Sequence, residues 1–182
     1  FNSFGQIIED CPLLSLVLEP GEGTTFTLSG ITATHNWSGG LLVRNCQIEE
    51  GYWLEFRDLV TYENSNTNIR VRNSNRIQIS DAVACNAHSD MLGYFGDGIE
   101  VIDSGDIQIV NSTITGNTRV GVAYWGATGI LMDSLVLTHD ETAWPNASAI
   151  VSYNAGLAWN DLPQEVVTSD GLLLENQVAL NV

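Results

Sequence analysis

All three histidines of the chain lie in segments of similar character: His35 in "THNWSGG", His88 in "AHSDM" and His139 in "THDETAW". Arg119 stands between the last two, and Asp90, Tyr94, Asp97, Asp140, Glu141 and Trp144 are near them in the chain. These residue types suit proton transfer. Removing a proton beside a carboxylate needs a cation to neutralise that carboxylate, a base and a proton donor; Arg119, His88 and Tyr94 match those roles in that order. Hydrolysis of an acetal needs two carboxylates, whose separation sets the stereochemical outcome, and Asp90 with Asp97 or Asp140 with Glu141 offers such a pair. The expected catalytic set is therefore His88, Asp90, Tyr94, Asp97, Arg119 and His139. Trp125 and Trp144 are candidate platforms for sugar rings. Calcium is the one cofactor considered, from Asp97, Glu100, Asp140 and Glu141, although no loop carries the spacing of a calcium motif.

These residues act together only if the fold brings distant segments side by side, and a repeat in the sequence does so. The stretch "IRVRNSNRIQISDAVACN" from Ile69 matches "IEVIDSGDIQIVNSTITGN" from Ile99, and "GVAY" at Gly121 with "GILMDSLVL" from Gly129 continues it. Each copy holds short alternating apolar runs broken by Asn, Asp, Ser and Gly, the pattern of short strands joined by bends. Three columns emerge when the copies are aligned. One holds Phe26, Leu54, Ile77, Ile107 and Ile130, and a second Leu41, Ile69, Ile99, Val122 and Ile150. The third holds Ile31, Val60, Val83, Ile114 and Val136. Three columns of short strands predict a three-sided parallel β-helix, an all-β solenoid in which inward side chains stack one coil apart.

Bends are expected at Asn45-Cys46, Asn73-Ser74, Asp103-Ser104, Asn111-Ser112 and Asp133-Ser134, where short polar side chains tolerate left-handed backbone and bond neighbouring amides. With "LLSLVL" at 13–18 and "GLLLENQVAL" from Gly171 counted as outer coils, the chain makes about six coils, roughly 30 Å at about 4.8 Å each. Residues 1–182 read as one domain, clearest over 24–151, and the segment 154–170 fits no column and reads as a long excursion. The stretches 86–98 and 138–148 vary most in length, so both project from one edge of the solenoid.

The run "GDGIEVIDSGDIQIVNSTITGNTRVGV" from Gly96 to Val122 resembles the right-handed parallel β-helix repeat proteins, the pectate-lyase-like superfamily. The resemblance implies a right-handed solenoid and a choice among polysaccharide lyases, hydrolases, C5-epimerases, tailspikes and secreted repeat proteins. It fixes architecture and not reaction. The paired-Asp signature of polygalacturonases is absent.

Charge narrows the partners. The chain carries 22 acidic and six basic residues, all six of them Arg, for a formal net charge of -16. Such a surface repels nucleic acid, anionic lipid and polyuronates, and no apolar run is long enough for a membrane-spanning helix. No signal peptide and no amphipathic capping helix are recognisable, so the expectation is ends that pair with other copies or that continue into a longer parent chain. Three cysteines, Cys11, Cys46 and Cys85, permit at most one bridge. The expected function is a secreted or cell-surface solenoid, structural, adhesive or glycan-recognising, that assembles end to end or as a spike. The alternative is a polysaccharide-active enzyme with its site on the edge carrying His88, Arg119 and His139.

Overall fold

The computed structural model describes residues 4–9, 24–89, 96–139 and 148–153, and every regular element among them is a strand. The first coil holds β1 (Phe4–Glu9), β2 (Thr24–Ser29) and β3 (Thr32–Thr34); the second β4 (Gly39–Arg44), β5 (Tyr52–Arg57) and β6 (Val60–Tyr62). The third holds β7 (Thr67–Arg72), β8 (Asn75–Ser80) and β9 (Val83–Cys85), and the fourth β10 (Asp97–Ile102), β11 (Gly105–Val110) and β12 (Thr113–Asn117). β13 (Val120–Trp125), β14 (Thr128–Asp133) and β15 (Val136–His139) make the fifth, and β16 (Ser148–Tyr153) opens a sixth. Like-placed strands pair in parallel, giving sheets ordered β1-β4-β7-β10-β13-β16, β2-β5-β8-β11-β14 and β3-β6-β9-β12-β15. The chain is a three-sided parallel β-helix.

Two of the expected columns are the inward stacks of the first two sheets. Phe26, Leu54, Ile77, Ile107 and Ile130 are consecutive partners in the second sheet. Leu41, Ile69, Ile99, Val122 and Ile150 are consecutive partners in the first. From Phe26 to Ile130 and from Leu41 to Val122 these rows run through the hydrophobic core, where most of their members are fully buried.

The third column is corrected. Val60, Val83 and Val136 are 40%, 38% and 55% exposed, on a file that includes Thr32 and Thr113. The inward file of the third sheet holds Ala33, Thr61, Ala84 and Ile114, all buried and one position later than Thr32, Val60, Val83 and Thr113. A three-residue strand turns one side chain inward, so there is no alternation from which to read the face, and β-branched residues suit either face of a pleated strand. The bend at Asp133-Ser134 shifts by one for a related reason. Val110 pairs with Asp133, so Ser134 rather than Asp133 takes the left-handed backbone of Asn111, and Leu135 fills the buried position of Ser112.

The other expected bends hold. Asn45, Asn73, Asp103 and Asn111 all have positive φ. The buried hydroxyls of Ser74, Ser104 and Ser112 each donate to the carbonyl two residues back and accept an amide from the preceding coil, at Cys46, Ser74 and Ala82. At the corner after the third sheet an asparagine chain does the same work. Asn36 donates to Asn64, Asn64 to Asn68, and Asn68 to Asn117, at 2.8, 2.8 and 3.1 Å.

The start of the chain differs from expectation. Phe4–Glu9 is a strand paired with β4, so the first sheet begins earlier than the run at 13–18. That run, the stretch from Gly171 and the segment 154–170 lie outside the described residues.

The corrected register has a direct test. Ile77→Ala removes a fully buried member of the second sheet's stack and should cost about 2–5 kcal/mol in denaturant unfolding. Val83→Thr, on the outward file, should stay within about 0.5 kcal/mol. Equal losses would contradict this assignment of faces.

Candidate functional site

On the first sheet several residues on the side away from the core are also withdrawn from solvent. Val43, Val71 and Val101 face the core, while on the other side Leu42, Glu100 and Ala123 are equally withdrawn from solvent. Into that second, covered side the chain places charge. Asp97 and Glu100, at the first and fourth positions of β10, are fully buried. Arg70 Nε, reaching across from β7, bonds Glu100 Oε2, and Arg119, just before β13, grips Asp97 through Nε at 2.6 Å and through Nη2. Arg119 Nη2 also stands 3.7 Å from Glu100 Oε1. Two acids of one coil are thus held by one arginine from each neighbouring coil.

The glycines on either side of Asp97 permit this. Gly96 has a φ of 106°, in the left-handed region, and a Cβ there would overlap the Thr118 hydroxyl. A Cβ on Gly98 would stand 2.6 Å from the Gly121 carbonyl and 2.7 Å from Asn117 Nδ2. The "GDG" at 96–98 is therefore a steric requirement of close coil packing.

The two carboxyls differ in their surroundings. Burial pushes the Glu100 carboxyl up to about 7, with the Asp97 charge adding to it and Arg70 opposing. Glu100 Oε1 has no hydrogen-bond partner, and neither do the buried atoms Asn66 Oδ1 and Thr118 Oγ1.

A second cluster lies at the solvent-exposed corner after the third sheet. His35 Nε2 is 2.7 Å from Glu63 Oε2, and the His35 ring meets Tyr62 edge to face at 6.0 Å between centroids. The Tyr62 hydroxyl donates to Glu63, which, with His35 and His88 beside it, keeps the Glu63 carboxyl below its ordinary range; the same carboxylate raises Tyr62, which Asn86 also bonds. Asn36 and Asn64 are joined across coils, so Trp37 and Ser65 follow at equivalent positions, and Ser65 bridges to His88 in the third coil. Trp37 is 76% exposed.

Set against the expected catalytic residues, the structure joins Asp97 to Arg119 and sets His88 at the same corner, where the Thr118 amide bonds the Ala87 carbonyl, with the His88 side chain beside Glu63. His88 is exposed, with its backbone bonded to Asn64 and Asn66. His139 ends β15, paired with Asn117. Asp90, Tyr94, Trp144, Asp140 and Glu141 lie outside the described residues. Trp125 is half-buried at the end of β13 and packs against Val120 and Ala123. Among the described residues no group of three or more His, Cys, Asp or Glu side chains is arranged to hold a metal ion. Asp97 and Glu100, two of the calcium candidates, already carry guanidinium partners. Cys46 and Cys85 are free thiols.

Four residues of these clusters were not singled out from the sequence: Arg70, Trp37, Tyr62 and Glu63. The repeat carries the signal for the first. Aligning "IRVR" at Ile69 with "IEVI" at Ile99 places Arg70 beside Glu100. No family model matches this chain, and no curated protein or solved structure is similar enough to it to count as a relative.

Removing one partner of a buried pair strands the other charge. Arg119→Ala should therefore destabilise the chain by about 3–5 kcal/mol, whereas Arg72→Ala, at an exposed arginine, should stay within about 0.5 kcal/mol. Chemical denaturation of both variants reads the difference.

Proposed function

We propose that the chain is a glycan-recognising β-solenoid acting outside the cell or on its surface, and that it binds a neutral saccharide along the corner bearing His35, Trp37, Tyr62, Glu63 and His88. The observation that carries the reading is Trp37: an indole three-quarters exposed, at a corner where the repeat also sets out a carboxylate, two imidazoles, a phenol and the Asn86 amide. Exposure of so large an apolar ring has a solvation cost that stacking on the C–H face of a pyranose relieves. The polar groups around it present the mixture of donors and acceptors that sugar hydroxyls need. From the first coil to the third the edge spans about 10 Å, enough for a short oligosaccharide.

Charge selects among glycans. At a formal net charge of -16 the chain repels uronates and sulfated polymers at long range, and the arginines that would grip a carboxylate, Arg70 and Arg119, are engaged with buried acids. The reading therefore commits to an uncharged chain of sugars.

A polysaccharide-active enzyme of the pectate-lyase-like kind is the second reading, favoured by one observation, the contact of Asp97 with Arg119. Both carboxyls of that cluster are shut off from solvent, whereas bond cleavage needs them at the substrate. Recognition is the better account of what is exposed.

Titration calorimetry or a glycan array on neutral and acidic oligosaccharides tests the proposal. The expected result is binding confined to neutral glycans, lost by at least about tenfold in Trp37→Ala and weakened in Glu63→Gln, with unfolding midpoints unchanged. Retention of full affinity by Trp37→Ala would move the site elsewhere, and turnover of any glycan would favour the enzyme.

A further inference from the structure

We propose that Asp97 and Glu100 share one proton and form a proton-linked latch across three coils, closed while the proton is held and loosened when it leaves. The geometry carries the inference. Glu100 Oε2 takes the Arg70 bond, whereas Oε1 is buried without a hydrogen bond, its nearest cation being Arg119 Nη2 at 3.7 Å, in a protein interior where an unsatisfied buried acceptor costs about 1–3 kcal/mol. The neighbouring carboxylate of Asp97 is saturated with charge from Arg119 and has no donor to offer. Two ionised carboxylates side by side repel each other and leave Oε1 empty-handed. One proton on Oε1 supplies the missing donor, makes Asp97 its acceptor and removes one of the two buried negative charges.

The charged groups that face Glu100 among the described residues are Arg70 from β7, Asp97 on β10 itself and Arg119 before β13. Across the sheet its other neighbour is the uncharged Ala123. Both arginines stay protonated throughout the accessible pH range, so the Glu100 carboxyl is the part that titrates. With Glu100 pushed up to about 7, the folded chain holds this proton well above the ordinary carboxylate range, while the unfolded chain releases it near 4.5. The sign follows by linkage: the folded state is favoured at the acid side of this window and loses that advantage as pH rises from about 4.5 to 7. Glu55 and Glu63, whose carboxyls lie below the ordinary range, act in the opposite sense and weaken the fold only under stronger acid.

Because Arg70, Glu100, Asp97 and Arg119 join β7, β10 and β13, the loosening is local. It falls on the coil that follows His88 and leaves the second sheet's inward stack untouched.

The test is thermal unfolding and amide hydrogen exchange of the wild type and Glu100→Gln, at steps between pH 5 and pH 8. In the variant, an amide nitrogen at the Oε1 position donates to Asp97 as the proton does, at every pH. The expected result is a wild-type midpoint that falls by several degrees across the range and a variant midpoint that is flat and higher at pH 8. After correction for intrinsic rates, β10 amides of the wild type should lose protection relative to those of β8 as pH rises. A variant that keeps the wild-type slope, or melts lower at pH 8, overturns the latch. A direct reading on the wild type decides the matter if the variant does not fold: the Glu100 carboxyl carbon, followed by NMR, should titrate near neutrality, and titration below pH 5 would sink the proposal.

Discussion

Every feature of this chain depends on one constraint, that each coil must meet its neighbours at the same height along three faces at once. Parallel strands share backbone bonds with the coil before and the coil after, so an error of one residue at a corner would displace every side chain that follows. The corners absorb the differences in coil length, and they do it with polar side chains that replace missing backbone partners. Ser74, Ser104 and Ser112 each take an amide of the preceding coil on a buried hydroxyl, and the Asn36, Asn64, Asn68 and Asn117 chain does so on the far side. A buried amide or hydroxyl is tolerable there because its partners recur in every coil.

The same constraint explains why charge is distributed as it is. A solenoid repeats each position every coil, so an acid on a strand stands beside whatever occupies that position one coil away. On the first sheet the sequence alternates sign across coils: Arg70 beside Glu100, and Arg119 reaching back to Asp97. On the second, the buried Glu55 receives bonds from Arg57, Ser80 and Thr27, the last two from the coils on either side. Those bonds outweigh burial, which alone would push its carboxyl up, and leave it below the ordinary range. Glu55 has more donors than its burial demands, and Glu100 has too few. Two buried glutamates in one architecture thus move in opposite directions for an identifiable reason, the number of donors each neighbouring coil supplies.

What the sequence disclosed followed the length of the strands. Six-residue strands carry at least two inward side chains, so the rows through Ile77 and Ile99 were legible to the residue. The short strands of the third sheet, three residues long in β3, β6 and β9, carry one, and there Val60 and Val83 looked like core while Ala33, Thr61 and Ala84 form it. A valine reads more readily as a buried residue than an alanine or threonine, but on so short a strand side-chain size does not tell which face is inward. The candidate site was legible in part. Asp97 and Arg119 stood out as chemical types, yet their meeting depended on an offset of 22 residues across coils of unequal length. Trp37 gave no such signal, because nothing in the order of residues says that its ring faces water.

The two clusters divide between them what the corner after the third sheet can offer. On its outer side the chain is exposed, aromatic and rich in hydrogen-bonding groups, and His35, Glu63 and His88 come from three successive coils whose spacing is fixed by backbone bonds. A ligand laid along that edge meets a row held by the same ladder that holds the core, so little ordering is left to be done on binding. Just beyond it in the chain, Asp97 and Glu100 are shut off from solvent on the covered side of the first sheet, and burial pushes the Glu100 carboxyl up. Exposure favours recognition and burial favours proton storage. The turn from the third sheet to the first is what sets His88, at the end of the third coil, in the open and Glu100, at the start of the fourth, out of solvent.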